Sequence, residues 1–140
     1  MTENYKILSE FIKDMSSETP DIETYLYVKE NISKYHLTIN ITSKALKNKM
    51  IEVCTTLKYE DKESSEKRSY FEINYATVIR VSEEVVDKKK LEKILLCDVQ
   101  KDIYPRLEKS LLNLIHDCGF KDVQFSKKVD FEELYKGKFN

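Results

Sequence analysis

The run from Asp87 to Phe120, DKKKLEKILLCDVQKDIYPRLEKSLLNLIHDCGF, holds no glycine until Gly119. Leu91, Leu95, Val99, Ile103, Leu107, Leu111, Leu114 and Cys118 recur along it at helical spacing, not at the alternation of a strand. Lys90, Lys93, Lys101, Arg106, Lys109 and Asp117 fall largely off that stripe, and Gly119 is placed as a helix stop. The second half is richer than one stripe requires. At about 100° per residue, Ile103, Tyr104, Leu107, Leu111, Leu112, Leu114 and Ile115 cover roughly half the circumference. Two readings follow: a core helix with one broad face, or a helix packed on its own sheet and also on a partner chain. Pro105 removes a backbone donor and clashes with the preceding turn, so the segment is expected to kink there or split into two helices.

Working back from this helix, three strands precede it. Tyr35 to Ser43 alternates, with Leu37, Ile39 and Ile41 inward and His36, Thr38, Asn40 and Thr42 outward. Met50 to Glu60 puts Ile51, Val53, Thr55, Leu57 and Tyr59 on one face. Lys67 to Val81 puts Phe71, Ile73, Tyr75, Thr77, Ile79 and Val81 on one face and Tyr70, Glu72, Asn74, Ala76 and Val78 on the other. The link Lys44 to Lys49 and the charged tip Asp61 to Glu66 are short, which predicts an antiparallel meander. Its apolar face has to be covered, and the helix from Asp87 onward is the element able to do it.

At the start, Tyr5 to Ser17 reads as a fourth strand. Ile7, Phe11 and Met15 point one way, and Leu8, Ile12, Asp14, Ser16 and Glu18 the other. Thr19-Pro20-Asp21 ends it, and Ile22 to Asn31 follows as a connection. Tyr25-Leu26-Tyr27-Val28 is unusually apolar for a connection, so these residues either close over a core edge or line a groove. Beyond Phe120, Lys121 to Val129 shows no strong period. Asp130-Phe131-Glu132-Glu133 then has the form of a helix start, with Phe131, Leu134 and Tyr135 on one apolar face. The expected fold is α+β: a four-stranded antiparallel sheet covered by a long helix and a short C-terminal helix.

Composition narrows the function. A chain of 140 residues is expected to form one domain across residues 1–140. Its 24 basic and 25 acidic residues nearly cancel, unlike the basic excess of a general nucleic-acid binder. No apolar run approaches a membrane span, and Met1-Thr2-Glu3-Asn4 lacks the basic and apolar regions of a signal peptide. Cys54, Cys97 and Cys118 have no metal-ligand spacing and are expected to be reduced, buried residues of a cytoplasmic protein. Two glycines in the whole chain cannot build a phosphate loop, a dinucleotide turn or a nucleophile elbow. His36 and His116 stand apart with no second ligand near, so neither a cofactor nor a metal is expected. An enzyme would have to use Asp14, Glu18 and Glu72 as its acid and base. These carboxylates lie on a solvated strand face with no partner His, Ser or Gly turn, so no catalytic residues are assigned.

Several pieces resemble one family, the bacterial export chaperone SecB. Lys13-Asp14-Met15-Ser16-Ser17-Glu18-Thr19-Pro20 is similar to the family's first-strand signature, with Ser17 where a Phe is usual. Ser69-Tyr70-Phe71-Glu72-Ile73 resembles its fourth strand, with Glu72 in the place of its acidic residue. Ile103-Tyr104-Pro105 through Phe120 resembles the long helix, which carries an aromatic-Pro pair before an apolar stretch. Val129-Asp130-Phe131-Glu132-Glu133-Leu134-Tyr135 resembles the entry to its last helix. The family commonly ends in a flexible acidic extension, whereas this sequence ends Tyr135-Lys136-Gly137-Lys138-Phe139-Asn140.

The resemblance implies an ATP-independent holdase that keeps precursor proteins unfolded and passes them to the translocase motor SecA. It implies a homotetramer, a dimer of dimers with helices between two sheets, and Leu111, Leu112 and Ile115 are the expected interface residues. Client-groove candidates are Tyr25, Leu26 and Tyr27 with Phe131, Leu134 and Tyr135, whose plainer role would be ordinary core under a loop. Asp14, Glu18, Tyr70 and Glu72 match the positions that form the family's acidic patch for the basic, zinc-carrying C-terminal end of SecA. The alternative is a SecB-like oligomeric adaptor or chaperone dedicated to a single partner protein. Neither nucleic acid nor membrane insertion is expected.

Overall fold

The structure, a computed structural model, describes residues 4–61, 69–125 and 128–139. Most of the charged tip expected at Asp61 to Glu66, and the first residues of the strand expected from Lys67, lie outside them. The order is β1 (Tyr5–Glu18), α1 (Ile22–Asn31), β2 (His36–Ala45), β3 (Met50–Glu60), β4 (Tyr70–Val81), α2 (Lys88–Lys93), a π turn (Ile94–Asp98), α3 (Val99–Asp117) and α4 (Phe131–Phe139). The antiparallel sheet runs β1-β4-β3-β2, so the predicted meander holds and β1 closes it on the far side of β4. Between β2 and β3 the amide of Met50 donates to the Lys47 carbonyl at 3.2 Å. Asn48 and Lys49 both take φ of 60°, the sign that tight hairpin turns demand.

One face of the sheet makes the core. Val53 and Leu57 of β3, with Phe71, Ile73 and Ile79 of β4, meet Ile103, Leu107, Leu111 and Ile115 of α3, all fully buried. The i, i+4 stripe read from the sequence is the stripe that packs. Gln100 is the polar member of this layer. Its buried amide accepts from Thr55 Oγ1 at 2.9 Å and donates to the Leu95 carbonyl at 3.1 Å. That second bond lies in the π turn, where the five-residue spacing displaces backbone partners. Of the two outcomes expected at Pro105, the split is corrected. α3 continues unsplit through Pro105, and the departure from α geometry comes earlier, at Ile94–Asp98.

Three further expectations change. Ile22 to Asn31 is not a loose connection but α1, because Asp21 caps it by accepting from the Thr24 amide at 2.7 Å. Its buried residues are Thr24 and Val28, one turn apart. In β1 the faces are corrected: bulges between Ile7 and Ser9 and between Ile12 and Asp14 invert the alternation and then restore it. Ile7 and Met15 stay on the helix side, paired with Ile79 and Ile73. Phe11, beside Ala76, turns to the open face, and Ile12, beside Tyr75, turns to the helices. Of the cysteines only Cys97 is buried, while Cys54 and Cys118 are half-buried; all three are free.

Candidate functional site

An apolar groove lies between the edge strand β2 and α4. Leu37, Ile39 and Ile41 stand on the helix side of β2, in register with Tyr59, Leu57 and Thr55. With Leu96 of the π turn and Phe131, Leu134 and Tyr135 of α4 they line a cavity of about 430 Å³. The helix start expected at Asp130 is there: its carboxylate accepts from the Glu133 amide at 3.1 Å. Phe131 is buried edge-on against Tyr104, with ring centroids 5.2 Å apart. Lys101 of α3 donates to Glu132 at 2.8 Å, and that hydrogen bond, with a second from Cys97, holds the Glu132 carboxyl below its ordinary range. Leu134 stands 50% exposed at the rim. The groove is thus an apolar floor with a pinned helix for its wall.

The six expected groove residues do not share one surface. Phe131, Leu134 and Tyr135 are together, as read from the sequence. Tyr25 lines a separate cavity of about 520 Å³ with Ile32, Phe120 and the rim cations Lys29 and Lys121. Its hydroxyl donates to the Gly119 carbonyl at 2.8 Å, and its ring lies where a Cβ on Gly119 would fall, at 2.7 Å. Gly119 has φ of 104°, so both the turn and the contact require glycine there. Leu26 and Tyr27 are exposed and line neither cavity, because consecutive helical residues point about 100° apart. The residues missed were Leu37, Ile39 and Ile41. Their alternation was plain, but their edge position, which leaves them half covered, was not.

The second surface is the open face of the sheet. Asp14 pairs with Asn74, Ser16 with Glu72 and Glu18 with Tyr70, so Asp14, Glu18, Tyr70 and Glu72 stand on one side, away from the helices. Lys58 is Glu72's neighbour on β3 but forms its ion pair with Glu60, at 3.6 Å. Lys13 is likewise engaged by Glu52 at 3.6 Å. Asp14, Glu18 and Glu72 take part in no ion pair among the described residues.

The flank of α3 over β1 is the third surface. Arg106 grips Glu10 through two bonds of 2.9 Å, and the Cys118 thiol lies 3.5 Å from Ser17 Oγ. Leu114 falls between Arg106 and Cys118 in the same four-residue row, and on β1 the helix-side residues Ile12 and Met15 are 44% and 47% exposed. Leu111 and Ile115 are wholly buried in the protomer, and Leu112 is half-buried. Of the residues expected at an interface, only Leu112 therefore keeps any surface.

No helix among the described residues is long and apolar enough to cross a membrane. The family model described as preprotein translocase subunit SecB matches residues 1–140. A SecB-named protein of Pelagibacter ubique (strain HTCC1062) is 55% identical over 140 residues, all of both chains. The protein-export protein SecB of Bradyrhizobium sp. (strain BTAi1 / ATCC BAA-1182) is 26% identical over 130 residues, 93% of this chain and 78% of that one. Among solved structures, the Mycobacterium tuberculosis SecB-like chaperone Rv1957, in complex with a ChAD peptide from the HigA1 antitoxin, superposes with a TM-score of 0.64. That match covers 89% of this chain and 91% of the other at 9% identity, a likeness of fold.

Proposed function

This chain belongs to the SecB family of protein-export chaperones, and from that premise we propose that it is an ATP-independent holdase that keeps precursor proteins unfolded. The observation that carries the reading is the groove between β2 and α4. Unfolded chains expose apolar side chains together with unpaired backbone. A half-open apolar trough about 430 Å³ in volume, beside the unpaired edge of β2, offers partners to both without reading one sequence. No covalent chemistry is asked of the site: holding is binding, and its strength comes from apolar area removed from water.

In this reading the open face serves the next step. Asp14, Glu18, Tyr70 and Glu72 form an acidic dock for the basic end of SecA, leaving the groove free for the client. The exposed Ile12 and Met15, with Leu114, suit burial against a second copy on the way to a homotetramer, and the protein works in the cytoplasm.

The test is aggregation of a chemically unfolded precursor diluted into buffer, followed by light scattering. The purified protein should suppress it at stoichiometric excess with no nucleotide present. Failure to suppress, or suppression only with ATP, would overturn the reading.

A further inference from the structure

On the flank of α3 that faces the segment leading into α4, Lys101, Tyr104 and Glu108 wall another cavity of about 430 Å³. Phe125, Val129 and Phe131 supply its apolar side. Tyr104 is 9% exposed, and its hydroxyl is sealed from solvent with no hydrogen-bond partner among the described residues. Burial, with the Glu108 carboxylate nearby, pushes the phenol far above its ordinary value, so the oxygen keeps its proton. Its nearby acceptor, the Glu108 carboxylate, stands outside hydrogen-bond geometry, and a buried donor left unsatisfied in that way weakens the free protein.

Phe131 is common to this cavity and to the groove beside β2, so the two meet at one ring. We propose that Tyr104 is an affinity- and specificity-determining residue of the client site. Its hydroxyl donates to a backbone carbonyl of an extended client segment whose apolar side chain enters the cavity beside Phe131. This rests on the holdase reading above. The occupant is a peptide because the wall is apolar and its charges offset one another: Lys101 is held by Glu132, and Lys128 and Glu108 are of opposite sign. A neutral chain with an acceptor at every residue suits such a wall better than an ion does. The hydroxyl is covered in the free protein, so the contact requires a side-chain rearrangement on client binding.

Tyr104→Phe removes the oxygen and keeps the ring. Affinity for a fluorescein-labelled, reduced and alkylated protein, read by anisotropy, should fall about three- to tenfold, the worth of one neutral hydrogen bond. The melting temperature of the variant should equal or exceed that of wild type, because an unsatisfied group has been deleted. Unchanged affinity would overturn the contact while leaving the holdase reading intact, and no binding by wild type would overturn both. A lower melting temperature would show the hydroxyl already partnered, also against the proposal. Val129→Trp, which fills the cavity from the opposite wall, should weaken binding at least as much; undiminished binding would exclude the cavity as a client contact.

Discussion

Asp14 and Glu72 stand on one face because β1 changes its alternation twice. The bulges at Ile7/Ser9 and Ile12/Asp14 cancel by Asp14, so its side follows the simple odd–even count while those of Phe11 and Ile12 do not. If the acidic face docks SecA, Asp14→Lys with Glu72→Lys should leave folding nearly unchanged, since surface charges contribute roughly 0–1 kcal/mol. Binding of a synthetic basic SecA C-terminal segment, by calorimetry, should weaken strongly, and wild-type binding should weaken as salt rises. Equal binding by the doubly reversed protein would reduce the carboxylates to a solvated surface. Single residues were the least legible scale in the sequence. A bulge leaves no letter to read, and the half-burial of Leu37 or Ile41 depends on which strand lies at the edge. The value of Gln100 was hidden too, because a glutamine on a helix is ordinarily solvated, and only the π turn gives it a carbonyl to meet.

Elements were read more surely where a period was long. The four strands and the helix onto α3 follow from alternation and i, i+4 spacing, and α4 from its Asp130 cap. α1 was missed because the residues it buries are Thr24 and Val28, too weak a stripe to outweigh exposed Ile22 and Leu26. α4 carries its own test. The hydrogen bond from Lys101 depresses the Glu132 carboxyl, so its contribution to docking α4 is full above the ordinary carboxylate pKa. It is lost as pH falls through the lowered folded value. Amide exchange in α4, corrected for intrinsic rates, should show steady protection at neutral pH and a decline on acidification. Glu132→Gln should show reduced protection at neutral pH and a smaller decline. Equal protection in the two proteins at neutral pH would mean that the ion pair does not pin the helix.

At the scale of the whole molecule, the fold class was legible because a half-buried sheet and a long amphipathic helix have few ways to cover one another. The assembly was less so. The broad apolar face of α3 is largely consumed inside the protomer, whereas Leu8, Phe11, Ile12 and Met15 of edge strand β1 are exposed. A tetramer built through that edge should appear by light scattering on a sizing column. Met15→Glu, at a position 47% exposed in the protomer, should yield smaller species with an intact fold, because it places a charge in a dry contact. A monomeric wild-type protein would contradict this. The most direct measurement is the affinity of the groove for an unfolded chain. Leu134, half exposed at the rim, can be changed to Asp without disturbing the core. Wild type should bind a reduced and alkylated protein, and Leu134→Asp should bind it about tenfold or more weakly at unchanged melting temperature. Equal affinity in the two proteins would contradict the assignment of client holding to the trough between β2 and α4.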